Sequence, residues 1–182
     1  MARASLVPEI VDAVLAGLRS YSTADVTFRG PTSSTSGVTV YDGPEVRDHN
    51  DSPVGTFVII GYGGEDLDPV MADGEQGSEA MSGVQQVRGM ATSRPKDQLQ
   101  DDIECVALSW SGSPNPSAVR SKAWDAVDAV HSWLQANPTA GIATTADGQV
   151  VRIHITSRSM SQWFSSGARC AVRFTISAQT RT

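Results

Sequence analysis

The sequence predicts an α+β fold: two helices packed on one face of a mixed, mainly antiparallel sheet of about five strands, with a long acidic loop. Three observations lead there. Residues 6–20 and 117–135 repeat apolar side chains at spacings of three and four, the signature of one buried helix face. Five shorter segments alternate or run apolar at strand length. Residues 63–100 do neither and are rich in acid and glycine. At 182 residues and 40% hydrophobic content, the chain is expected to form one domain over 1–182, with 63–100 as a long loop or insertion.

The first helix carries Ile10, Val11, Val14, Leu15 and Leu18 on one stripe, and Pro8 suits its first turn, where a missing N–H costs nothing. A polar loop follows at 29–37. Val38 and Val40 then alternate with Thr39 and Tyr41 in a short strand closed by Asp42-Gly43-Pro44. Residues 54–62 are apolar without interruption at Phe57–Ile60, as in a central strand covered on both faces. Residues 84–90 offer a further short strand inside the 63–100 stretch. Residues 102–110 are apolar on both faces, and the second helix has its core stripe at Ala123, Val127, Val130 and Leu134, flanked by Trp124 and His131. Ser117 is the expected N-cap, and Asn137-Pro138 the stop. Two strands close the chain, 151–156 and 168–177, separated by a serine-rich linker holding Trp163 and Phe164.

Charge is segregated along the chain. The net of −6 divides into −3 over residues 1–62, −6 over 63–86 and +3 over 87–182. Beyond Asp147 there are only basic groups, among them Arg152, Arg158, Arg169 and Arg173. An acidic balance argues against a protein that grips nucleic-acid phosphates. No apolar run approaches the roughly 18 residues of a membrane-spanning helix, and Glu9 and Asp12 interrupt what would be a signal peptide's apolar region. Cys105 and Cys170 fit no metal spacing and lie in apolar runs, as buried free thiols do.

The ingredients of an active site are sparse. His131 lies at the edge of an apolar helix stripe, His154 alternates outward on a strand, and His49 sits in a turn-like DHNDSP segment. No serine occupies a nucleophile-elbow motif. Gly61-Tyr62-Gly63-Gly64 is followed by Glu65 and Asp66, which would repel a phosphate, where a phosphate loop needs Lys and Ser or Thr. The acids Asp66, Asp68, Asp73 and Glu75 do not have calcium-loop spacing. No catalytic residue, cofactor or metal is expected. The alternative from this class is a small enzyme with its site in the 49–100 region.

The ordered pattern of segments resembles the tail terminator proteins of long-tailed, siphovirus-type bacteriophages. It comprises the opening helix VPEIVDAVLAGLRS, the strands VTVYDGPEV, GTFVIIGYGG and ECVALSWSG, the helix VRSKAWDAVDAVHSWL and the closing strand GARCAVRFTISAQTRT. These cover most of the chain, and 63–100 and 140–150 carry the least of the likeness. The resemblance implies a small α+β domain assembled as a hexameric ring at the head-proximal end of the virion tail. Such a ring ends tube polymerisation and presents the surface that joins the head. Its partners would be further copies of itself, the tail tube protein and a head completion or neck protein, with DNA passing through the lumen unbound. Another neck or head–tail completion protein is the nearest alternative. In a ring each contact joins two different surfaces, so opposite charges can pair across it. The candidate interface residues are Glu65, Asp66, Asp68, Asp73 and Glu75 against Arg152, Arg169 and Arg173, with Trp163 and Phe164 as apolar anchors.

Overall fold

The computed structural model describes residues 7–33, 36–43, 54–63, 85–86, 98–142, 149–164 and 167–181. The elements run α1 (Val7–Leu18), β1 (Phe28–Arg29), β2 (Val38–Asp42), β3 (Gly55–Ile60), β4 (Gln85–Gln86), β5 (Gln98–Ser111), α2 (Pro116–Ala136), β6 (Gln149–Phe164) and β7 (Ala168–Arg181). All strands join one sheet in the order β1-β2-β3-β5-β7-β6-β4. The contacts β1–β2 and β2–β3 are parallel and the rest antiparallel. The class is α+β, as expected. The strand count is higher than five, because the two-residue strands β1 and β4 extend the two edges. β4 falls within 84–90, read from the sequence as a further short strand, whereas β1 is too short to leave a periodicity.

The helices form where the apolar stripes require them. Ile10, Val14, Leu15 and Leu18 of α1 are buried, and Val11 lies at the margin. In α2 the stripe Ala123, Val127, Val130 and Leu134 is buried together with Val119, Ala126, Ala129 and Trp133. The N-cap is Asn115, not Ser117: its Oδ1 accepts from the backbone N–H groups of Ser117 (3.1 Å) and Ala118 (3.4 Å), and Pro116 opens the helix. A proline at the first helical position moves the cap one residue upstream of it. Asn137 closes the helix, its backbone and side-chain N–H groups both reaching the Trp133 carbonyl.

Both helices lie on one face of the sheet. Residues directly opposite in adjacent strands share a face, so Val58, Ala107 and Val172 make one row and Ile60, Cys105 and Phe174 the next. These side chains, with the apolar stripes of α1 and α2, form the core cluster. Cys105 and Cys170 belong to it as free, buried cysteines. β3 is central, and Thr56, Phe57, Val58 and Ile60 are buried although they alternate between faces.

The largest departure is β6. Residues 157–164 are the second half of a 16-residue strand, not a linker, and they bring Trp163 and Phe164 into the sheet. Two register shifts, between Val150 and Arg152 and between Ile155 and Ser157, break the alternation that sequence reading relies on. Beyond them Ser157, Ser159 and Ser161 occupy one face. Arg158, Met160 and Gln162 occupy the other and contact α2 or its start through Asp128, Trp124 and the Pro116 carbonyl. The segment is held by pairing with β7 and by these contacts, neither of which needs an apolar pattern. β5 likewise begins at Gln98, inside the stretch read as loop.

Candidate functional site

The face of the sheet opposite α1 and α2 carries no helix among the described residues, and most of the sequence-predicted basic residues lie on it. On β7 that face presents Arg169, Ala171, Arg173, Thr175, Ser177 and Gln179, while the alternate residues enter the core. Cross-strand register builds these into rows. Toward one end lies Gly55–Trp110–Arg169–Trp163, across β3, β5, β7 and β6. Next comes Phe57–Leu108–Ala171–Ser161, and then Ile59–Val106–Arg173–Ser159. Farther along lie Asp102–Ser177–His154 and Gln100–Gln179–Arg152. Arg152 therefore shares a face with Arg169 and Arg173. It lies opposite Gln179, six residues beyond Arg173, or about 20 Å at strand rise.

The three arginines differ in what they do. Arg173 is engaged within the chain: its Nε donates to the Gly63 carbonyl at 3.1 Å and an Nη to Ser161 Oγ at 2.8 Å. It ties the residues that follow β3 to the middle of the sheet. Arg152 is exposed. Arg169 stacks on Trp110, with Cζ 4.1 Å from the ring centroid, and lies directly opposite Trp163 on its other side. It donates no hydrogen bond among the described residues, and its Nε is buried without a partner, as is Trp110 Nε1. Partial burial holds the guanidinium's pKa below its ordinary value. An unpaired buried donor costs about 1–3 kcal/mol, and two in one row is a conspicuous expense for one place.

The same end of the sheet displays two exposed apolar side chains. Val54, before Gly55, is 65% exposed, and Phe164, after Trp163, is 56% exposed. Gly167, which enters β7 with φ +124°, lies so close to the Ser111 carbonyl that a Cβ would collide with it. This glycine lets the start of β7 approach the end of β5 closely.

At the other end, Asp102, Ser177 and His154 lie side by side, but Ser177 Oγ and His154 Nδ1 are both buried and unpaired. His154 is half-buried, not solvated. Its ring lies against neighbouring strands at a bulged part of β6, and desolvation, with Arg152 nearby, lowers its pKa while Asp102 opposes the shift. His131 also titrates low, chiefly through burial. No group of three or more His, Cys, Asp or Glu side chains is placed to hold a metal among the described residues. No helix among them is long and apolar enough to cross a membrane.

Of the predicted interface residues, the sheet unites Arg169 and Trp163 in one row and places Phe164 next to it. Arg173 is two rows inward and Arg152 is remote. Glu65, Asp66, Asp68, Asp73 and Glu75, together with His49, lie outside the described residues. Sequence reading missed Trp110. Its position in a strand was legible, but its alignment with Arg169 and Trp163 depends on a register that only the three-strand pairing supplies. Compared with models of known protein families and with curated proteins, the chain matches none.

Proposed function

We propose that this chain is a tail terminator of a long-tailed bacteriophage. It acts as a ring that caps the tail tube, ends tube polymerisation and presents the head-joining surface. The reading rests on the ordered resemblance of the helix and strand segments. The observation that supports it most is the two-sided character of the sheet. One face is packed by both helices; the other carries Arg169, Arg173, Trp110 and Trp163. Trp, Tyr and Arg are the residues that dominate protein–protein contacts, and a surface built from them suits binding to other subunits.

Such a mechanism is steric. A cap must bind the growing tube end better than the next tube subunit does, and then offer no equivalent face for growth. Many modest contacts around a ring achieve this through multivalency. A hexamer would carry a formal charge of −36, from six copies at −6 each. Some acidic groups, most naturally those of the 63–79 segment not engaged with a neighbour, would face the lumen, repel DNA phosphates and let the genome pass. The test is to image tails from a phage lacking this gene. Tubes of uncontrolled length support termination, whereas tails of normal length without heads would assign the chain to the neck instead.

A further inference from the structure

We infer that the Trp110–Arg169–Trp163 row is a carboxylate-docking clamp that receives the acidic segment, residues 63–79, of a neighbouring copy of this chain. The inference deepens the ring reading and rests on it for the identity of the neighbour.

The clamp is argued from four observations. First, the Arg169 guanidinium lies over Trp110, with Cζ 4.1 Å from the ring centroid, and opposite Trp163 in the register, yet donates no hydrogen bond among the described residues. A planar guanidinium stacked on an aromatic ring keeps its in-plane N–H fork free, which is the geometry that carboxylates accept in pairs. Secondly, no acidic side chain occurs in its row, since its neighbours there are Gly55, Trp110 and Trp163. A partly desolvated cation with no internal counter-ion gains more from an incoming carboxylate than a solvated one does. Thirdly, the chain supplies the complementary chemistry: Glu65, Asp66, Asp68, Asp73, Glu75 and Glu79 fall within 17 residues that contain no Lys or Arg.

The fourth observation is topological. The acidic segment follows Gly63, just beyond the C-terminal end of β3, and Arg173 ties the Gly63 carbonyl to the middle of the sheet. Gly55, at the opposite end of β3, shares the Arg169 row. The start of the acidic segment and the clamp are thus separate places on the sheet, since Gly63 is held at Arg173, four residues or about 13 Å along β7 from Arg169. A head-to-tail contact joins two such different surfaces, and repeated around a closed ring it fills every clamp.

The test uses the purified full chain and a fluorescently labelled synthetic peptide of residues 63–79, followed by anisotropy, with sedimentation velocity on the protein alone. The peptide is expected to bind wild type. Binding should weaken about tenfold or more in Arg169→Gln. Arg169→Lys, which keeps the charge but loses the stacked fork, should also bind poorly. Arg152→Gln, a change of the same charge on the same face, should bind as wild type does. Circular dichroism melts show that each variant folds. Equal binding by wild type and Arg169→Gln, or equal binding of a peptide with its acids converted to amides, overturns the clamp. So does a DNA oligonucleotide binding where the peptide does not. If wild type and Arg169→Gln form rings with the same concentration dependence, the clamp is wrong and the ring reading stands. If wild type remains monomeric and leaves tubes uncapped, yet binds the peptide through Arg169, the ring reading falls and the clamp stands.

Discussion

His154 and Ser177 face each other across β6 and β7 with buried polar atoms that find no partner, which gives the fold a pH dependence of defined sign. Burial lowers the His154 pKa, whereas in the unfolded chain the ring titrates near about 6.5. As pH falls through that value the unfolded state takes the proton first, so the stability present at neutral pH is progressively lost toward the lower folded pKa. Thermal melts from pH 7 to 5 should fall, and His154→Gln should remove part of the slope; an unchanged slope contradicts the assignment. A second residue-scale prediction concerns Gly17. A Cβ there would enter the Trp133 indole. Overpacking costs about 1–3 kcal/mol and alanine recovers about 1 kcal/mol of helix propensity. The net for Gly17→Ala is destabilisation of up to about 2 kcal/mol by urea titration, partly relieved by Trp133→Phe. The thiols were legible in the sequence: Cys105 is pushed up to about 12 and Cys170 to about 11 by burial. The engagement of Arg173 with Gly63 was not legible, because 110 residues separate them and a strand pattern alone does not reveal what caps an arginine.

At the scale of elements, α2 shows how local chemistry sets a boundary. Asn115 satisfies two of the free N–H groups at the helix start, and Ser117 Oγ adds a third donor to the same oxygen at 2.8 Å. Asn115→Ala should cost about 1 kcal/mol and Ser117→Ala distinctly less in equilibrium unfolding; the reverse order would restore Ser117 as the cap. Helices of this kind were readable because a stripe at 3.6 residues is a local property. β3 was readable as well, since a continuous apolar run demands cover on both faces. β6 was only half readable. Its first part keeps Ile153 and Ile155 toward the core, but bulges shift the phase, and its second part is polar on both faces and supported by β7 and α2. The tie between Arg158 and Asp128 at 2.7 Å joins β6 to α2 across that polar stretch. With Asp128 largely exposed, it contributes about 0–1 kcal/mol, and Arg158→Ala should scarcely move the melting temperature. Met160 receiving Trp124 Nε1 and Gln162 donating to the Pro116 carbonyl therefore hold this segment as much as any charge does.

At the scale of the whole molecule, the sheet separates two tasks. The helix-packed face supplies the core among the described residues, and the opposite face gathers Trp110, Arg169 and Trp163 at one end. The α+β class was legible because helix and strand periodicities differ so clearly. The assembly of the candidate site was not, because it is made by register across β3, β5, β7 and β6. Charge segregation along the chain acquires meaning only with that geometry, since it distinguishes a stacked Arg169 from an internally bonded Arg173 and a remote Arg152. The most direct measurement is electron microscopy of purified tail tube protein polymerising with and without this chain. Added in excess over tube ends, the chain is expected to stop elongation and leave an additional ring of density at one end of each tube. Tubes that keep lengthening at the same rate, with bare ends, would contradict the account.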